Sequence, residues 1–168
     1  ILKVIMSYDY LWINVRVKGG AYGCMSAFGY SGNGFFVSYR DPNLSQTLKV
    51  YEGVPEYVRN FDADEREMTK YVIGAISDMD TPLNPSAKGD RSLTAYMSGY
   101  TEEDYQKERD QVLGASVDDI RALAPLMEAI LKEGAVCAIG GEEKLEAEKE
   151  LFKELKPLIG TTEETDGE

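Results

Sequence analysis

Arg16 and Tyr22 are the two side chains of this sequence whose types and spacing suggest chemistry. A guanidinium is permanently charged and presents forked donors, while a phenol both donates and accepts hydrogen bonds at neutral pH. They bracket the segment Arg16-Val17-Lys18-Gly19-Gly20-Ala21-Tyr22-Gly23, which joins a helical apolar pattern to a strand pattern. Paired glycines allow a sharp exit, because glycine reaches left-handed backbone angles without a Cβ clash. A cation and a phenol are thereby held at a helix-to-strand corner. Spacing alone leaves two readings open: a helix stop followed by a buried strand tyrosine, or a corner on which a reactive or binding site is built.

Composition removes many other chemistries. The chain has no histidine, which excludes the usual general base near neutral pH and the Ser-His and Cys-His nucleophile pairs. It also excludes zinc sites built on imidazole, including H-E-x-x-H and its inverse H-x-x-E-H. Two cysteines, Cys24 and Cys137, cannot complete a structural zinc site, and neither belongs to a C-x-x-C pair. Each sits in an apolar strand-like run, so both are expected to be buried free thiols. Free thiols suit a reducing compartment, and a cytoplasmic location is the corresponding expectation. Net charge is −12, from 30 acidic and 18 basic residues, which argues against nucleic-acid binding by clustered Lys and Arg.

The glycine-rich corner is not a nucleotide loop. It lacks the G-K-[ST] ending of a P-loop and the G-x-G-x-x-G spacing, and it follows a helix instead of opening one. Carboxylates cluster at helix starts and on solvated faces, as at Glu142-Glu143 and Glu163-Glu164, and no glycosidase-like pair stands out. Arg40-Asp41 either pair locally or contact a ligand. No run approaches the roughly 18 apolar residues of a membrane helix, and Asp9 interrupts any signal-like stretch.

The elements that position the corner follow from periodicity. Residues 1–18 place Val4, Ile5, Tyr8, Leu11, Trp12 and Val15 on one helical face, with Lys3, Ser7 and Asn14 opposite. The chain begins in helical register with neither an N-cap nor an initiator methionine, as expected of a piece of a longer polypeptide. Tyr22 to Tyr30 reads as a strand, Ser31-Gly32-Asn33-Gly34 as a hairpin turn, and Phe35 to Arg40 as its partner, ended by Asp41-Pro42-Asn43.

Helices are expected over 44–61 with a break at Pro55, from the acidic start at Asp62-Ala63-Asp64-Glu65 through Met79, over 86–99, from Thr101 to Leu113, and from Ser116 to about Lys132. Ala135-Val136-Cys137-Ala138-Ile139 reads as a strand buried on both faces, 142–154 as a charged helix, and Leu158-Ile159 as a last strand scrap. One α+β domain over residues 1–160 is predicted, a mostly antiparallel sheet with helices packed on one face in two layers. An acidic flexible tail over 161–168 follows it.

Several motifs carry a family likeness. Tyr10-Leu11-Trp12-Ile13-Asn14-Val15-Arg16-Val17-Lys18-Gly19-Gly20-Ala21-Tyr22-Gly23 resembles the last domain of the presequence-protease branch of the pitrilysin/insulinase zinc metallopeptidases. Ser38-Tyr39-Arg40-Asp41-Pro42-Asn43-Leu44 is similar to that branch at the matching distance, as are Ser116-Val117-Asp118-Asp119-Ile120-Arg121-Ala122-Leu123 and Cys137-Ala138-Ile139-Gly140. Cys24-Met25 departs from it, since members of the branch continue there with small residues.

The resemblance implies an inverzincin domain incomplete at its N-terminus, in an enzyme whose two halves close around a peptide. The zinc site then lies in the N-terminal catalytic half of the same polypeptide, with no metal held by this chain. Arg16 and Tyr22 are implied to reach across to the substrate, Arg16 holding a peptide carbonyl and Tyr22 donating to the developing oxyanion. On that reading the chain is inert alone, with self-association covering exposed apolar surface. The competing expectations are a non-catalytic scaffold subunit of the same fold and an unrelated peptide-binding module.

Overall fold

The computed structural model describes residues 1–29 and 32–158. The expected tail over 161–168, residue 159 of the last strand scrap, and residues 30 and 31 of the first strand's end and the turn lie outside the described residues.

The chain opens with a helix that changes winding. An α turn, α1 (Leu2–Ile5), runs into two π-wound stretches, Met6–Tyr10 and Trp12–Lys18, joined at Leu11. A π-wound backbone closes its hydrogen bonds one residue later than an α-helix, so each turn consumes more chain. The buried set follows this longer period: Leu2, Met6, Leu11 and Val15, with Ile5 beside them. Tyr8 and Trp12, assigned to the packing face by the 3.6-residue period, rotate outward and are 72% and 40% exposed. Side-chain bonds tie the π-wound stretch to other elements. Tyr10 donates its hydroxyl to the Val50 carbonyl at 2.8 Å, and Tyr71 donates to the Asp9 carboxylate.

After the corner comes a two-stranded antiparallel hairpin, β1 (Gly23–Phe28) and β2 (Gly34–Tyr39), in register from Gly23 opposite Tyr39 to Phe28 opposite Gly34. Its inner face, with Cys24, Phe28 and Phe36, packs on the core. The remaining elements are helical: α2 (Ser45–Glu52), α3 (Val54–Arg59), α4 (Glu65–Met79), α5 (Pro85–Ser98), α6 (Glu102–Leu113), α7 (Val117–Arg121), α8 (Ala124–Glu133) and α9 (Glu142–Ala147), with a 3₁₀ turn at Lys149–Leu151. Pro55 sits in the first turn of α3, where its missing N–H costs nothing, and Pro125 does the same for α8. The single helix expected from Ser116 to Lys132 is therefore two.

Capping follows the sequence closely. Asp64 and Glu67 satisfy each other's backbone N–H groups at the start of α4, as do Thr101 with Asp104 at α6 and Ser116 with Asp119 at α7. The core gathers Ile5, Met6, Leu11 and Val15 from the opening helix, Val54 and Val58 from α3, Ile120 from α7, and Ala124 and Met127 from α8. Each large aliphatic side chain so buried contributes about 1.5–3 kcal/mol. Helices α5 and α6 bury no residue fully and form the outer layer.

The α+β class stands and the sheet is antiparallel, but among the described residues it is a single two-stranded hairpin among many helices, far smaller than the sheet expected. Residues 135–139 form no strand, and Ile139 is 77% exposed instead of buried. A strand needs a neighbour for its backbone groups, and among the described residues none lies beside this one. Cys137 in that segment is exposed, and Cys24 is only half-buried, so neither is the sealed thiol expected. Leu158 is also exposed and lies in no strand.

Burial of tyrosines around the opening helix has a measurable consequence. Tyr57 lies tilted against Tyr10, ring centroids 4.6 Å apart, and burial first, then the Asp9 charge, pushes its phenol up to about 12. Burial raises Tyr10 as well, and Tyr71 is raised by burial followed by its bond to Asp9. Folded-state values above the unfolded value near 10 mean that the unfolded chain loses these protons first. Their stabilising effect is complete below pH 10 and disappears as pH climbs from 10 towards 12. Urea midpoints are expected to fall across that window, and Tyr57→Phe to make the fall shallower. An unchanged slope in that variant would show that Tyr57 does not titrate with folding.

Candidate functional site

The sequence folds locally into two corners that lock together. At the first, Gly20 adopts φ +82°, and a Cβ at Gly19 would stand 2.5 Å from the Val15 carbonyl oxygen. Only glycine fits both positions, so the chain leaves the opening helix within two residues. The second corner, at the end of β2, is built by Asp41. One carboxylate oxygen accepts from the Asn43 N–H at 2.9 Å and the other from the buried Thr47 hydroxyl at 2.7 Å. Asn43 then donates its side-chain amide to the Gly19 carbonyl at 2.6 Å. The Tyr22 N–H donates to the carbonyls of Tyr39 and Arg40, at 3.1 and 3.4 Å. Helix α9 braces the pair from outside, with Lys144 donating to the Pro42 carbonyl and Glu148 accepting from the Ser45 N–H.

Arg16 and Tyr22 are brought together on this platform. The Arg16 Nε donates to the Tyr22 backbone carbonyl at 3.0 Å, and its guanidinium lies 3.9 Å from the centroid of the Trp12 ring. Stacking and one hydrogen bond set its direction and leave its terminal nitrogens uncommitted among the described residues. Tyr22 is 66% exposed, which corrects the buried strand tyrosine of the first reading. It precedes β1 at a bend, so the strand alternation that would turn it inward does not govern it. Its ring meets Tyr39 edge to face at 5.9 Å.

Arg40 and Asp41 do not pair with each other. Asp41 is spent on the turn, and the Arg40 guanidinium lies 5.4 Å from the Tyr39 ring centroid and 5.8 Å from that of Tyr22. Burial raises the Cys24 thiol on the inner face of β1, offset in part by the nearby Arg16 charge. Trp12, Tyr39 and Asn43 are the participants that sequence reasoning passed over. Trp12 stands four residues before Arg16, the spacing at which helical side chains meet, and that was the available signal. Asn43 and Tyr39 reach the site across the tertiary fold, and their only signal was the motif Ser38-Tyr39-Arg40-Asp41-Pro42-Asn43-Leu44 that carried the family likeness.

No three Asp, Glu or Cys side chains among the described residues gather as metal ligands. No helix of the described residues is long and apolar enough to cross a membrane.

Comparison with known proteins places the two corners in a lineage. The chain matches the family described as PreP C-terminal domain over residues 1–142. It is 46% identical over 159 residues to Protein HypA of Clostridium perfringens (strain 13 / Type A), covering 95% of this chain and 16% of that protein. It is 37% identical over 158 residues to Presequence protease 1, chloroplastic/mitochondrial, of Arabidopsis thaliana, covering 92% of this chain and 15% of that protein. Identity to the mitochondrial presequence protease of Emericella nidulans is 32% over 151 residues, with 89% of this chain and 14% of that protein covered. The chain thus spans well under a fifth of the length of the curated relatives it matches. The match takes in the opening helix and both corners, and the chain belongs to the PreP C-terminal domain family.

Proposed function

We propose that this chain is the substrate-binding C-terminal part of a zinc-dependent metalloendopeptidase that degrades oligopeptides inside a closed chamber. One observation carries the reading. An exposed phenol and a guanidinium with free terminal nitrogens are fastened to the same residue, Tyr22, on a doubly locked corner. Pre-set donors on rigid backbone suit charge that develops during reaction, because they need no reorganisation at that moment. In this reading Arg16 holds a peptide carbonyl through its terminal nitrogens, and the Tyr22 hydroxyl donates to the oxygen that becomes anionic.

Zinc belongs to the N-terminal catalytic half of the longer polypeptide, the partner this chain requires. The uncovered outer face of the hairpin supports such a partner. Met25, Phe35, Val37 and Tyr39 lie exposed on it, more apolar surface than one side of a small hairpin leaves to water without cost. Either the rest of the polypeptide or a second copy of the chain covers it.

The test compares the isolated chain with the longer protein. The chain alone, supplied with zinc and an oligopeptide, is expected to give no turnover. The longer protein is expected to cleave and to lose activity to a zinc chelator. Arg16→Gln in the longer protein should raise KM by roughly tenfold, the value of one charge-assisted contact. Turnover by the isolated chain would overturn the division of labour. Unchanged kinetics in Arg16→Gln would favour a scaffold of the same fold.

A further inference from the structure

Among the described residues Arg40 alone, glycines aside, has a positive φ, +47°. A side chain with a Cβ is disfavoured in that region, whereas glycine or asparagine occupies it readily. The backbone task of this position is clear: in this conformation the Arg40 carbonyl, beside that of Tyr39, receives the Tyr22 N–H. Glycine would perform that task without strain. The arginine side chain thus has a purpose that the turn does not supply, and residues held in such conformations gather at functional sites.

The surroundings of the guanidinium indicate the purpose. It is exposed, close to the rings of Tyr22 and Tyr39. The adjacent acid does not pair with it: the Asp41 carboxylate accepts from the Asn43 N–H and the Thr47 hydroxyl. No carboxylate among the described residues pairs with it, in a chain carrying 30 acidic side chains. A guanidinium that no acid among the described residues pairs with keeps its fork open, and that fork matches the geometry of a carboxylate. The Arg40 guanidinium also lies 5.8 Å from the Tyr22 ring centroid on the strand side, while Arg16 is bonded to the Tyr22 carbonyl from the helix side.

We infer that Arg40 determines specificity at this corner by binding a carboxylate of the bound peptide, either the terminal carboxylate or an Asp or Glu side chain. The inference rests on the reading of Arg16 and Tyr22 as a peptide-binding corner.

Its test uses the longer protein and matched peptide pairs. One pair differs only in a free against an amidated C-terminus, the other only in Glu against Gln at one position. The unmodified protein is expected to favour the carboxylate member of one pair by roughly tenfold in kcat/KM, carried by KM. Whichever pair shows the preference identifies the source of the carboxylate. Arg40→Gly and Arg40→Gln should both erase that ratio and leave turnover of the neutral peptide unchanged. Arg40→Gly should fold with equal or greater stability, since it removes the strain. Equal turnover within both pairs by the unmodified protein would overturn the inference, as would a preference that survives in Arg40→Gly. An equal loss on all peptides with a loss of stability would make Arg40 a turn residue only, and overturn it too. Failure of the underlying reading looks different: Arg16→Gln would then leave the neutral peptides unaffected, a result independent of the ratio within a pair.

Discussion

In the longer protein, Tyr22→Phe is expected to lower kcat by about 100–1,000-fold and leave KM little changed, since the role proposed for Tyr22 is one donor to a developing oxyanion. The substitution is clean in this structure. The ring is retained, so its edge-to-face contact with Tyr39 and its proximity to Arg40 persist. Among the described residues nothing hydrogen-bonds the hydroxyl, so its removal breaks no structural bond. The backbone atoms of Tyr22, which receive the Arg16 Nε and donate into the second corner, are untouched. Stability of the variant should therefore equal that of the parent, and steady-state kinetics then read the hydroxyl alone. An unaltered kcat would remove Tyr22 from the chemistry. A rise in KM at constant kcat would make it a ground-state contact that does not strengthen in the transition state.

Leu11→Ala lowers the stability of the chain by about 2–5 kcal/mol, the range for a large aliphatic side chain deleted from a packed core. Leu11 is fully buried and joins the two π-wound stretches of the opening helix. The cavity would open where the winding is set, so the register of Arg16 depends on the same side chain. Urea unfolding measures the stability. A loss within about 0.5 kcal/mol, typical of surface positions, would mean that the opening helix is not the centre of the core. Trp12→Ala offers the contrast: at 40% exposed it should cost less stability, but it removes the ring that directs the guanidinium.

How much of this was legible beforehand depends on the range of the interactions concerned. Helix starts at Asp64, Thr101 and Ser116 were readable because capping is settled within four residues. The glycine corner and the existence of a hairpin beyond it were readable for the same reason, but not its register, since Gly34 was assigned to the turn and lies in β2 opposite Phe28. Residues 135–139 have strand-like composition, yet pairing requires a neighbouring strand that composition does not contain. Pro125 marked the break between α7 and α8, and the expectation of one continuous helix overlooked it.

The sequence by itself determined the local geometry of the corner, the kinship, and the absence of any imidazole chemistry, since each depends on residue types and short spacings. Only the tertiary structure decided which way the corner faces. The π winding, tied to other elements by Tyr10 on Val50 and Tyr71 on Asp9, turned Trp12 outward beneath Arg16. Asn43, bonded to the Gly19 carbonyl, clasped two turns that lie 24 residues apart. Hydrogen bonds between distant segments accompany both outcomes, and no local periodicity encodes them.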